Sequence, residues 1–555
     1  FEQAKPKQEE PSIKHVPESA DPPQLFKRFS GSAKQQIERL PSAANKQIQI
    51  QQKKPAQPNG NQEASKNIRD NTNQQNIQQG LSQKIQQGLS QQNIHRNQPV
   101  TSLCRNAIRD AMFHAWNGYE TFAFGHDEIS PCSNGTNDSW GGFGITLVDA
   151  LDTMMLMGMD EQVERAKAHV AQIDWDRDYN ASFFESTIRY LGGLLSAYTL
   201  SQDELYLDKA LQLADRLVFA FHSPTGVPYS IVNMKNGQAK NPGWNGNLSI
   251  LSELGSVQLE FKYLSAISGN PKYAQIAEKT MQVLRSMADA DENVIDGLYP
   301  VYIDPELGKF QSELVTFGGL GDSFYEYLLK QYILSGGKEQ SSLDMYTKSI
   351  DAMKQHMINT VQRKHDGKQL TFVGELQGSQ IIPGFDHLVC FVPGMLALGS
   401  TVINSRKEDF VLAKQLLDTC ITLYEDSESG LGPERVRFTT DPENSLGYQI
   451  ESSVYLLRPE TIESIFILWR LTHEQKYRDA GWAIFQAIQT HCKTKSGYSG
   501  IHDVNKVPTE QNDSMQSFFL AETLKYLFLL FSPDDVVDLQ NVVFTTEAHL
   551  IKVLN

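Results

Sequence analysis

Apolar stretches of helix length recur along the chain after residue 100, and several of them open with an acidic residue. Five such stretches are FFESTIRYLGGLLSAY, LSELGSVQLEFKYL, GDSFYEYLLKQYIL, LLRPETIESI and FFLAETLKYLFLL, which carry Glu185, Glu253, Asp322, Glu460 and Glu522 near their starts. Because the unpaired N–H groups at a helix N-terminus favour negative charge, each stretch predicts a helix that begins near its acid.

Some of these stretches continue into a turn and a second helical pattern. The continuations are LSQDELYLDKA from Leu200, ISGNPKYAQIA from Ile267 and LTHEQKYRDA from Leu471. This spacing predicts an internal repeat of αα-hairpins. If the first helix of each hairpin lines the inside of a ring, the helix N-termini gather at one end. The acids are then expected to converge on one pocket.

The segment LLRPETIESI is the densest group of candidate catalytic residues in the chain. Arg458, Pro459, Glu460 and Glu463 stand at the mouth of an apolar helix, where proline suits the first turn. Glu460 and Glu463 are three residues apart and therefore share a face. Two acids and a guanidinium suit the acid/base and electrostatic work of a hydrolase. The alternative is an ordinary helix start with surface acids, and the repetition of the pattern argues against it.

The first part of the chain differs in kind from the rest. Residues 1–99 are rich in Gln, Asn, Lys and Pro and repeat IQQGLSQ from Ile77 and Ile85. Such a segment buries too little apolar surface to offset its ordering entropy, so we expect a disordered tether. The alternative is a marginal coiled coil over Gln75–Ile94. Residues 100–555 are long for one domain, and a closed ring reaches that size without a linker.

Charge and composition limit which partners and which cellular compartment the sequence favours. The formal charge of −16 argues against a nucleic-acid partner. No window reaches the ~18 consecutive apolar residues of a membrane span. The chain begins at Phe1, so we expect a membrane link only through an anchor upstream of it. N-x-S/T sequons fit a secretory compartment; they are Asn134, Asn137, Asn180, Asn247 and Asn512.

Cysteine usage is sparse, and no pair has the C-x-x-C spacing of a structural zinc site. Cys390 in HLVCFVPGMLALG and Cys420 in AKQLLDTCITLY lie about one hairpin apart on helix-like segments. In an oxidising lumen they predict a disulfide, and the alternative is two buried free thiols. The sequence suggests no pairing for Cys104, Cys132 and Cys492.

At this point seven motifs, in order, resemble glycoside hydrolase family 47, the class I α-1,2-mannosidases. They are HAWNGYETFAFGHDE, VDALDTMMLMG, FESTIRYLGGLLSAY, GDSFYEYLLKQYI, DHLVCFVPG, RPETIES and TEAH. The resemblance covers roughly Val100 to Leu550. It implies an all-α fold, an (α/α)7 barrel with a short C-terminal β segment after the disordered tail. It also implies a calcium ion and removal of terminal α-1,2-linked mannose from high-mannose N-glycans with inversion.

The resemblance assigns the chemistry residue by residue. Glu185 would protonate the leaving oxygen through a water, Glu460 would activate the attacking water, and Asp322 would be the third acid. Inversion needs two carboxyl groups ~6.5–9.5 Å apart, which acids on different inner helices can supply. Neighbours on one helix, such as Glu460 and Glu463, are closer and less suited. The residues expected to hold the sugar or pair with an acid in the pocket are Arg189, His387, Arg458, Glu463, Phe518 and Glu522.

The family's calcium ligand is the Thr of TEAH, here Thr546, through its carbonyl and hydroxyl oxygens. Calcium prefers oxygen ligands, waters would complete its shell, and Glu547 would lie just outside the direct ligands. Thr545 and Leu550 depart from the commoner NTEAHP, and neither departure removes a ligand. The surrounding β-branched segment NVVFTTEAHLIKVL predicts a short strand.

One position bears on which mannose is removed. Leu320 stands two residues before Asp322, where endoplasmic-reticulum members tend to carry Arg and Golgi-type members Leu. An Arg would fix one glycan branch through several hydrogen bonds, and a Leu cannot. We therefore expect a monomeric Golgi-type enzyme of the secretory lumen. The alternatives are an endoplasmic-reticulum or degradation-enhancing member in quality control and a non-catalytic αα-barrel lectin, against which Glu185, Asp322, Glu460 and Thr546 together argue.

Overall fold

The computed structural model describes residues 97–554. The predicted tether and coiled coil lie outside the described residues, apart from 97–99, with which the first helix begins. In chain order the helices are α1 (Asn97–Phe122), α2 (145–156), α3 (Asp160–Val170), α4 (183–201), α5 (Glu204–Leu217), α6 (251–268), α7 (Lys272–Ala290), α8 (Asp322–Leu334), α9 (Gln340–His356), α10 (Val392–Val402), α11 (Asp409–Glu425), α12 (Glu460–Thr472), α13 (Gln475–His491) and α14 (519–530).

The helices form two concentric rings. Even-numbered helices are buried nearly all round, and every residue of α8 from Ser323 to Leu334 is buried. Odd-numbered helices bury one stripe, such as Tyr477, Phe485 and Ile488 of α13, and face solvent with the other. Each inner helix contacts the next inner helix around the ring. The apolar core fills the space between the two rings.

The ring closes where α2 meets α14. Thr153 Oγ1 donates a hydrogen bond to the carbonyl of Ala521 at 3.1 Å, which joins the second helix of the chain to the last. Within residues 97–554, seven inner and seven outer helices therefore complete the circle. The predicted (α/α)7 barrel is confirmed.

Small antiparallel sheets connect the helices, and most of their strands carry no sequence signature. Their strands are β1 (Glu128–Ser130), β2 (Gly135–Asn137), β3 (Asn180–Ser182), β4 (Ile231–Asn233), β5 (Ala239–Lys240), β6 (Ser249–Ile250), β7 (Tyr302–Asp304), β8 (Lys309–Phe310), β9 (Leu314–Val315), β10 (Ile358–Gln362), β11 (Gln369–Val373), β12 (Glu375–Gln377), β13 (Gln380–Ile382), β14 (Gly384–Asp386), β15 (Arg435–Phe438), β16 (Tyr448–Ser452), β17 (Val542–Phe544) and β18 (Leu550–Lys552). Several lead directly into inner helices, as β3 leads into α4, and so fix where those helices begin.

The C-terminal segment is a hairpin rather than the single strand that its sequence suggested. Strands β17 and β18 pair antiparallel, with Phe544 opposite Leu550, and the TTEAH turn lies between them. The backbone N–H of Leu554 donates to Leu334 at the end of α8 at 2.7 Å. The N–H of Thr546 reaches Tyr327, about two turns closer to the start of α8. The hairpin therefore enters the barrel where the inner helices end, and its turn reaches inward.

Two adjacent glycines allow the hairpin and the first inner helices to pack closely. A Cβ on Gly192 of α4 would lie 2.7 Å from the ring of His549, and one on Gly193 would lie 2.7 Å from the carbonyl of Val148. No other residue fits there without a shift.

The disulfide prediction is confirmed. Cys390, in the short helical turn before α10, is bonded to Cys420 of α11, with their Cα atoms 6.0 Å apart. The other three cysteines of the chain are free, and only Cys132 among them is exposed. Within the described residues no helix has both the length and the apolar run that crossing a membrane requires.

Candidate active site

The acids predicted to converge do lie at the helix starts that face the inside of the ring. Glu185, Asp322 and Glu460 stand in the first turns of α4, α8 and α12, and each is partly accessible. Glu253 and Glu522 occupy the corresponding turns of α6 and α14. The barrel thus brings acids from five inner helices to one end, as the repeat predicted.

Glu185 is held by an arginine one turn further along α4. Arg189 Nε donates to Glu185 Oε2 at 2.7 Å, and one of its terminal nitrogens donates to Ser517 Oγ at 2.7 Å. The same guanidinium lies 3.3 Å from Glu547 of the hairpin turn. Its carbon sits 5.6 Å from the centre of the Phe518 ring. Arg189 therefore ties the predicted acid, the predicted stacking ring and the hairpin turn together.

Glu460 is held by a histidine from a different part of the ring. His387 Nδ1 lies 2.8 Å from Glu460 Oε2. Burial would raise the pKa of Glu460, but the hydrogen bond from His387 and the charge of Arg458 outweigh it and lower the pKa. Glu460 is therefore kept ionised, which is the state in which a carboxylate can accept a proton from water.

Asp322 has the opposite electrostatic character. Burial raises its pKa to about 7, and the nearby carboxylates of Asp386, Glu326 and Glu460 add to that rise. The N–H of Ser323 donates to Asp322 Oδ1 at 2.7 Å and partly offsets it. The site thus holds one carboxyl that stays ionised and another that keeps its proton toward neutral pH, a contrast set by their different neighbours.

Arg458 is engaged by a residue that the sequence did not single out. It forms a two-pronged pair with Glu434, with its Nε 2.8 Å from Oε2 and one terminal nitrogen 2.6 Å from Oε1. This pair fixes the guanidinium plane. The charge of Glu460 also raises the pKa of Arg458, which places the two side chains close together.

The inner wall beyond these acids carries further carboxylates. Burial raises the pKa of Glu463 to about 8, although Lys330 at 3.7 Å counteracts it. Burial also raises the pKa of Glu522, with Glu547, Glu460 and Glu463 contributing through their charges. The predicted residues Glu463 and Glu522 therefore lie near enough to Glu460 for its charge to raise the pKa of each.

The surroundings of Thr546 fit a hard cation. Within residues 97–554 its only hydrogen bond is from its N–H to Tyr327, so its carbonyl and hydroxyl oxygens are unengaged. Nearby, Glu260 Oε2 is buried without a hydrogen-bond partner, and Glu547 Oε1 is buried with only the ion pair to Arg189 at 3.3 Å. The donors are all oxygens, as calcium prefers. In the described part of the chain no three His, Cys, Asp or Glu side chains form a ready cage, so Thr546 itself would have to carry the ion.

A buried charge network beneath this turn was missed from the sequence. His549 lies between Asp149 and Asp152, with its ring nitrogens 3.0 and 3.2 Å from their oxygens. Lys525 donates to Asp152 at 2.9 Å and to the carbonyl of Ala548 at 2.6 Å. The motifs VDALDT and TEAH contain these acids and this histidine, so the signal was present. Only the fold shows that they meet.

Two backbone positions near the acids have unusual geometry. Leu320 and Leu457 have φ of +80° and +65°, a region that branched L-residues rarely adopt. Each precedes an inner helix that carries a predicted acid. The carbonyl of Leu320 accepts the N–H of Ser252, and that of Leu457 accepts the hydroxyl of Thr523. Such strain tends to concentrate at functional sites.

The predicted glycosylation sequons differ in accessibility. Asn134, Asn137, Asn180 and Asn247 are exposed. Asn512 is half-buried, and its side-chain oxygen accepts hydrogen bonds from Ser499 and Ser514.

Comparisons with known proteins agree with this site. Residues 111–553 match the model of glycosyl hydrolase family 47. The chain belongs to this family. It is 44% identical to the mannosyl-oligosaccharide 1,2-alpha-mannosidase MNS1 of Arabidopsis thaliana, over 82% of this chain and 80% of that protein. It is 42% identical to the endoplasmic reticulum mannosyl-oligosaccharide 1,2-alpha-mannosidase of Rattus norvegicus, over 80% of this chain and 67% of that protein.

A solved structure supports the same assignment. The alpha-1,2-mannosidase from Trichoderma reesei superimposes on this chain with a TM-score of 0.76 and 31% identity, covering 82% of this chain and 99% of that one. The family 47 match spans all the acids described above. As a member of this family the chain is a glycoside hydrolase.

Proposed function

We propose that this chain hydrolyses terminal α-1,2-linked mannose from high-mannose N-glycans with inversion of configuration. The observation that carries the proposal is the convergence of Glu185, Asp322 and Glu460 at one end of a family 47 barrel. Relatives at 42–44% identity are named for this activity. A lectin would have no need for carboxyls with contrasting protonation, which disfavours the non-catalytic alternative.

In this proposal the protein supplies an acid and a base from different inner helices. Glu185 protonates the leaving oxygen through a water, and Arg189 keeps its carboxyl oriented. Glu460 takes a proton from the attacking water, and the low pKa that His387 gives it supports that role. Asp322 is the third acid, and its raised pKa lets it donate a hydrogen bond near neutral pH.

The terminal sugar is held by the residues around these acids. Phe518 stacks on the apolar face of the pyranose ring. Arg458, fixed by Glu434, offers donors, while Glu463 and Glu522 bind hydroxyl groups. Both ring nitrogens of His387 are engaged, by Glu460 and Tyr424, so His387 acts on the sugar through Glu460.

A calcium ion would be held by the carbonyl and hydroxyl oxygens of Thr546, with waters completing its shell and Glu547 beside it. Bound there, the ion would supply positive charge among buried carboxylates and help to orient sugar hydroxyls. The unengaged oxygens of Thr546 support this assignment.

We place the enzyme in the lumen of the secretory pathway, in the Golgi rather than the endoplasmic reticulum, acting as a monomer and glycosylated at its exposed sequons. Leu320 supports the Golgi type because it cannot fix one glycan branch as Arg would. The alternative is an endoplasmic-reticulum or degradation-enhancing member in quality control.

A product profile tests both the proposed hydrolysis of mannose and the proposed Golgi-type specificity. The purified chain is incubated with a nine-mannose N-glycan, and the products are separated over time. We expect trimming past the eight-mannose stage toward the five-mannose core, and Leu320→Arg should change the order of removal. A single mannose released by the wild type would indicate the endoplasmic-reticulum type. Glycan binding without any release of mannose would overturn the hydrolase.

A further inference from the structure

A buried tyrosine on an outer helix reaches the predicted base through a histidine. The hydroxyl of Tyr424, in the last turns of α11, lies 2.7 Å from His387 Nε2. On the other side of the same ring, His387 Nδ1 lies 2.8 Å from Glu460 Oε2. The three side chains thus form a line from the outer ring of helices to the inner wall.

The order of donors and acceptors along this line follows from the chemistry of its ends. An ionised carboxylate can only accept hydrogen bonds, so His387 Nδ1 must carry the hydrogen. In a neutral imidazole the other nitrogen then has no hydrogen and must accept one. The hydroxyl of Tyr424 is the nearest donor to Nε2. Thr461 Oγ1, at 3.3 Å, is the longer and therefore weaker contact.

The tyrosine ring is tightly enclosed, and its hydroxyl also lies near those of Thr461 and Tyr455. Tyr424 is buried, and a Cβ on Gly432 would lie 2.5 Å from its ring, which shows how tightly that ring is enclosed. The disulfide of Cys390 and Cys420 joins the same two segments, three residues after His387 and four before Tyr424. The hydroxyl is therefore fixed relative to the imidazole by its own burial and by a covalent link nearby.

We propose that Tyr424 is a positioning residue for the reaction: its hydroxyl donates to His387 Nε2, selects the tautomer with hydrogen on Nδ1, and so directs that hydrogen at Glu460 Oε2. This commits one carboxylate oxygen to His387 and leaves Oε1 to take the proton from the attacking water. The proposal rests on the proposed function, because it assumes that Glu460 is the base. No atom of Tyr424 needs to touch the substrate.

The first test measures the tautomer directly in the unaltered protein. Nitrogen-15 spectra of histidine-labelled protein distinguish the two neutral tautomers and the doubly protonated ring, and His387→Gln assigns the signal. We expect hydrogen on Nδ1 alone at the pH of activity. Hydrogen on Nε2, or on both nitrogens, would overturn the proposal. This measurement does not depend on any variant of Tyr424 folding or on any release of mannose.

The second test removes only the hydroxyl. Tyr424→Phe should lower kcat for mannose release about 10–100-fold, by analogy with the loss seen when a partner that orients a metal-bound histidine is removed. KM should change less than about twofold, because the sugar is not contacted. The His387 signal should shift toward a mixture of tautomers.

Tyr273→Phe is the matched control. Tyr273 is also buried on an outer helix, α7, and its hydroxyl is bonded to Asp215 at 2.9 Å, outside the site described above. It should leave kcat unchanged. If Tyr424→Phe keeps kcat within twofold of a wild type that does release mannose, the positioning role is wrong while the proposed function stands. If the wild type releases none, the proposed function itself fails.

Discussion

Single carboxyl groups decide the chemistry, and their neighbours decide which of them is ionised. Glu460 and Asp322 both stand in the first turn of an inner helix, yet the pKa of Glu460 is lowered and that of Asp322 is raised to about 7. The difference comes from His387 and Arg458 beside the first and from carboxylates beside the second. Position in the helix alone would have made them alike.

We therefore expect Glu460→Gln and Glu185→Gln to lower turnover far more than they weaken glycan binding. Each supplies a charge or a proton in the transition state, and loss of one acid/base group typically costs ~10²–10⁴-fold in rate. The measurements are kcat and a binding isotherm for the same glycan. Glu443→Gln, on an exposed loop, is the control and should change neither. Near-normal turnover in both variants would mean that the pocket is wrongly assigned.

Asp322 should also make stability depend on pH. Its folded-state pKa of about 7 lies above the ~4 of an unfolded aspartate, so between these values only the folded chain holds the proton. Stability from this group is therefore present at low pH and lost as the pH rises through about 7. The loss is at most ~4 kcal/mol, from ~1.4 kcal/mol per pKa unit.

Melting temperatures at pH 5 and pH 8, at a constant calcium concentration, test this. The drop between the two should be smaller in Asp322→Asn than in the wild type, whereas Asp535→Asn, at an exposed position, should behave as the wild type does. Equal drops in all three proteins would show that Asp322 is not held protonated.

At the residue scale, the sequence identified every acid that begins an inner helix in FESTIR, GDSFYEYL and RPET, because those residues lie within motifs that resemble a family. It did not identify Glu434, Tyr424 or Lys525. Each of these acts on a residue at least 24 positions away along the chain. No local pattern carries such a pairing, since it exists only once the ring has closed.

At the scale of elements, periodicity predicted the inner helices α4, α6, α8, α12 and α14 and three of their outer partners, but not their irregularities. The turn after Leu200, Ile267 and Leu471 falls where α4, α6 and α12 end and their outer partners begin. The π-helical turns Ser186–Leu191 and Phe519–Thr523, however, have no sequence signature. They lie at Arg189 and Glu522, in keeping with the frequent placement of such turns at functional sites.

The C-terminal hairpin is the element whose position depends most on buried charge. Lys525 and Asp152 are fully buried and pair at 2.9 Å, and Lys525 also donates to the hairpin carbonyl of Ala548. Removing one partner leaves a buried charge uncompensated, which typically costs about 3–5 kcal/mol. Lys525→Met should therefore lower the melting temperature strongly.

The control is a pair of the same two residue types at the surface. Lys348 and Asp296 pair at 3.1 Å with side chains 54% and 75% exposed. Lys348→Met should cost less than about 1 kcal/mol, because exposed pairs contribute little. Differential scanning calorimetry compares the two variants under one buffer. If both lose the same amount, Lys525 does not anchor the hairpin through a buried charge.

At the scale of the whole molecule, the repeat predicted a ring of helices, but not that the C-terminal hairpin enters one end of that ring. The hairpin looks from its sequence like a plain terminal strand. In the fold, Phe544 packs against Phe466 of α12 and Tyr526 of α14, and the turn places Glu547, whose pKa burial raises, close enough to Asp149 and Glu185 for their charges to raise it further. The last residues of the chain thus complete a site whose other parts begin at residue 185.

Because Thr546 belongs to the closing hairpin, a calcium ion bound to it should stabilise the whole barrel as well as support activity. A ligand that binds only the folded state stabilises it by mass action, by about 2.7 kcal/mol at a hundredfold excess over its Kd. Chelator should therefore abolish activity and lower the melting temperature, and added calcium should restore both. The measurements are a melting curve and a mannose-release assay in chelator, then with calcium.

Substitutions of two adjacent threonines distinguish the loss of bound calcium from damage to the turn that would hold it. Thr546→Val removes the hydroxyl expected to bind calcium and should weaken the calcium-dependent shift while the barrel still folds. Thr545→Val removes a hydroxyl that instead accepts the N–H of His549 at 3.1 Å. Thr545→Val should lower the melting temperature with or without calcium, because the buried N–H of His549 loses its hydrogen-bond partner. The response to calcium should remain. If the melting curve of the wild type is unchanged in chelator and its activity is full, the TTEAH turn has only a structural role. The calcium ion would then have no part in the mechanism.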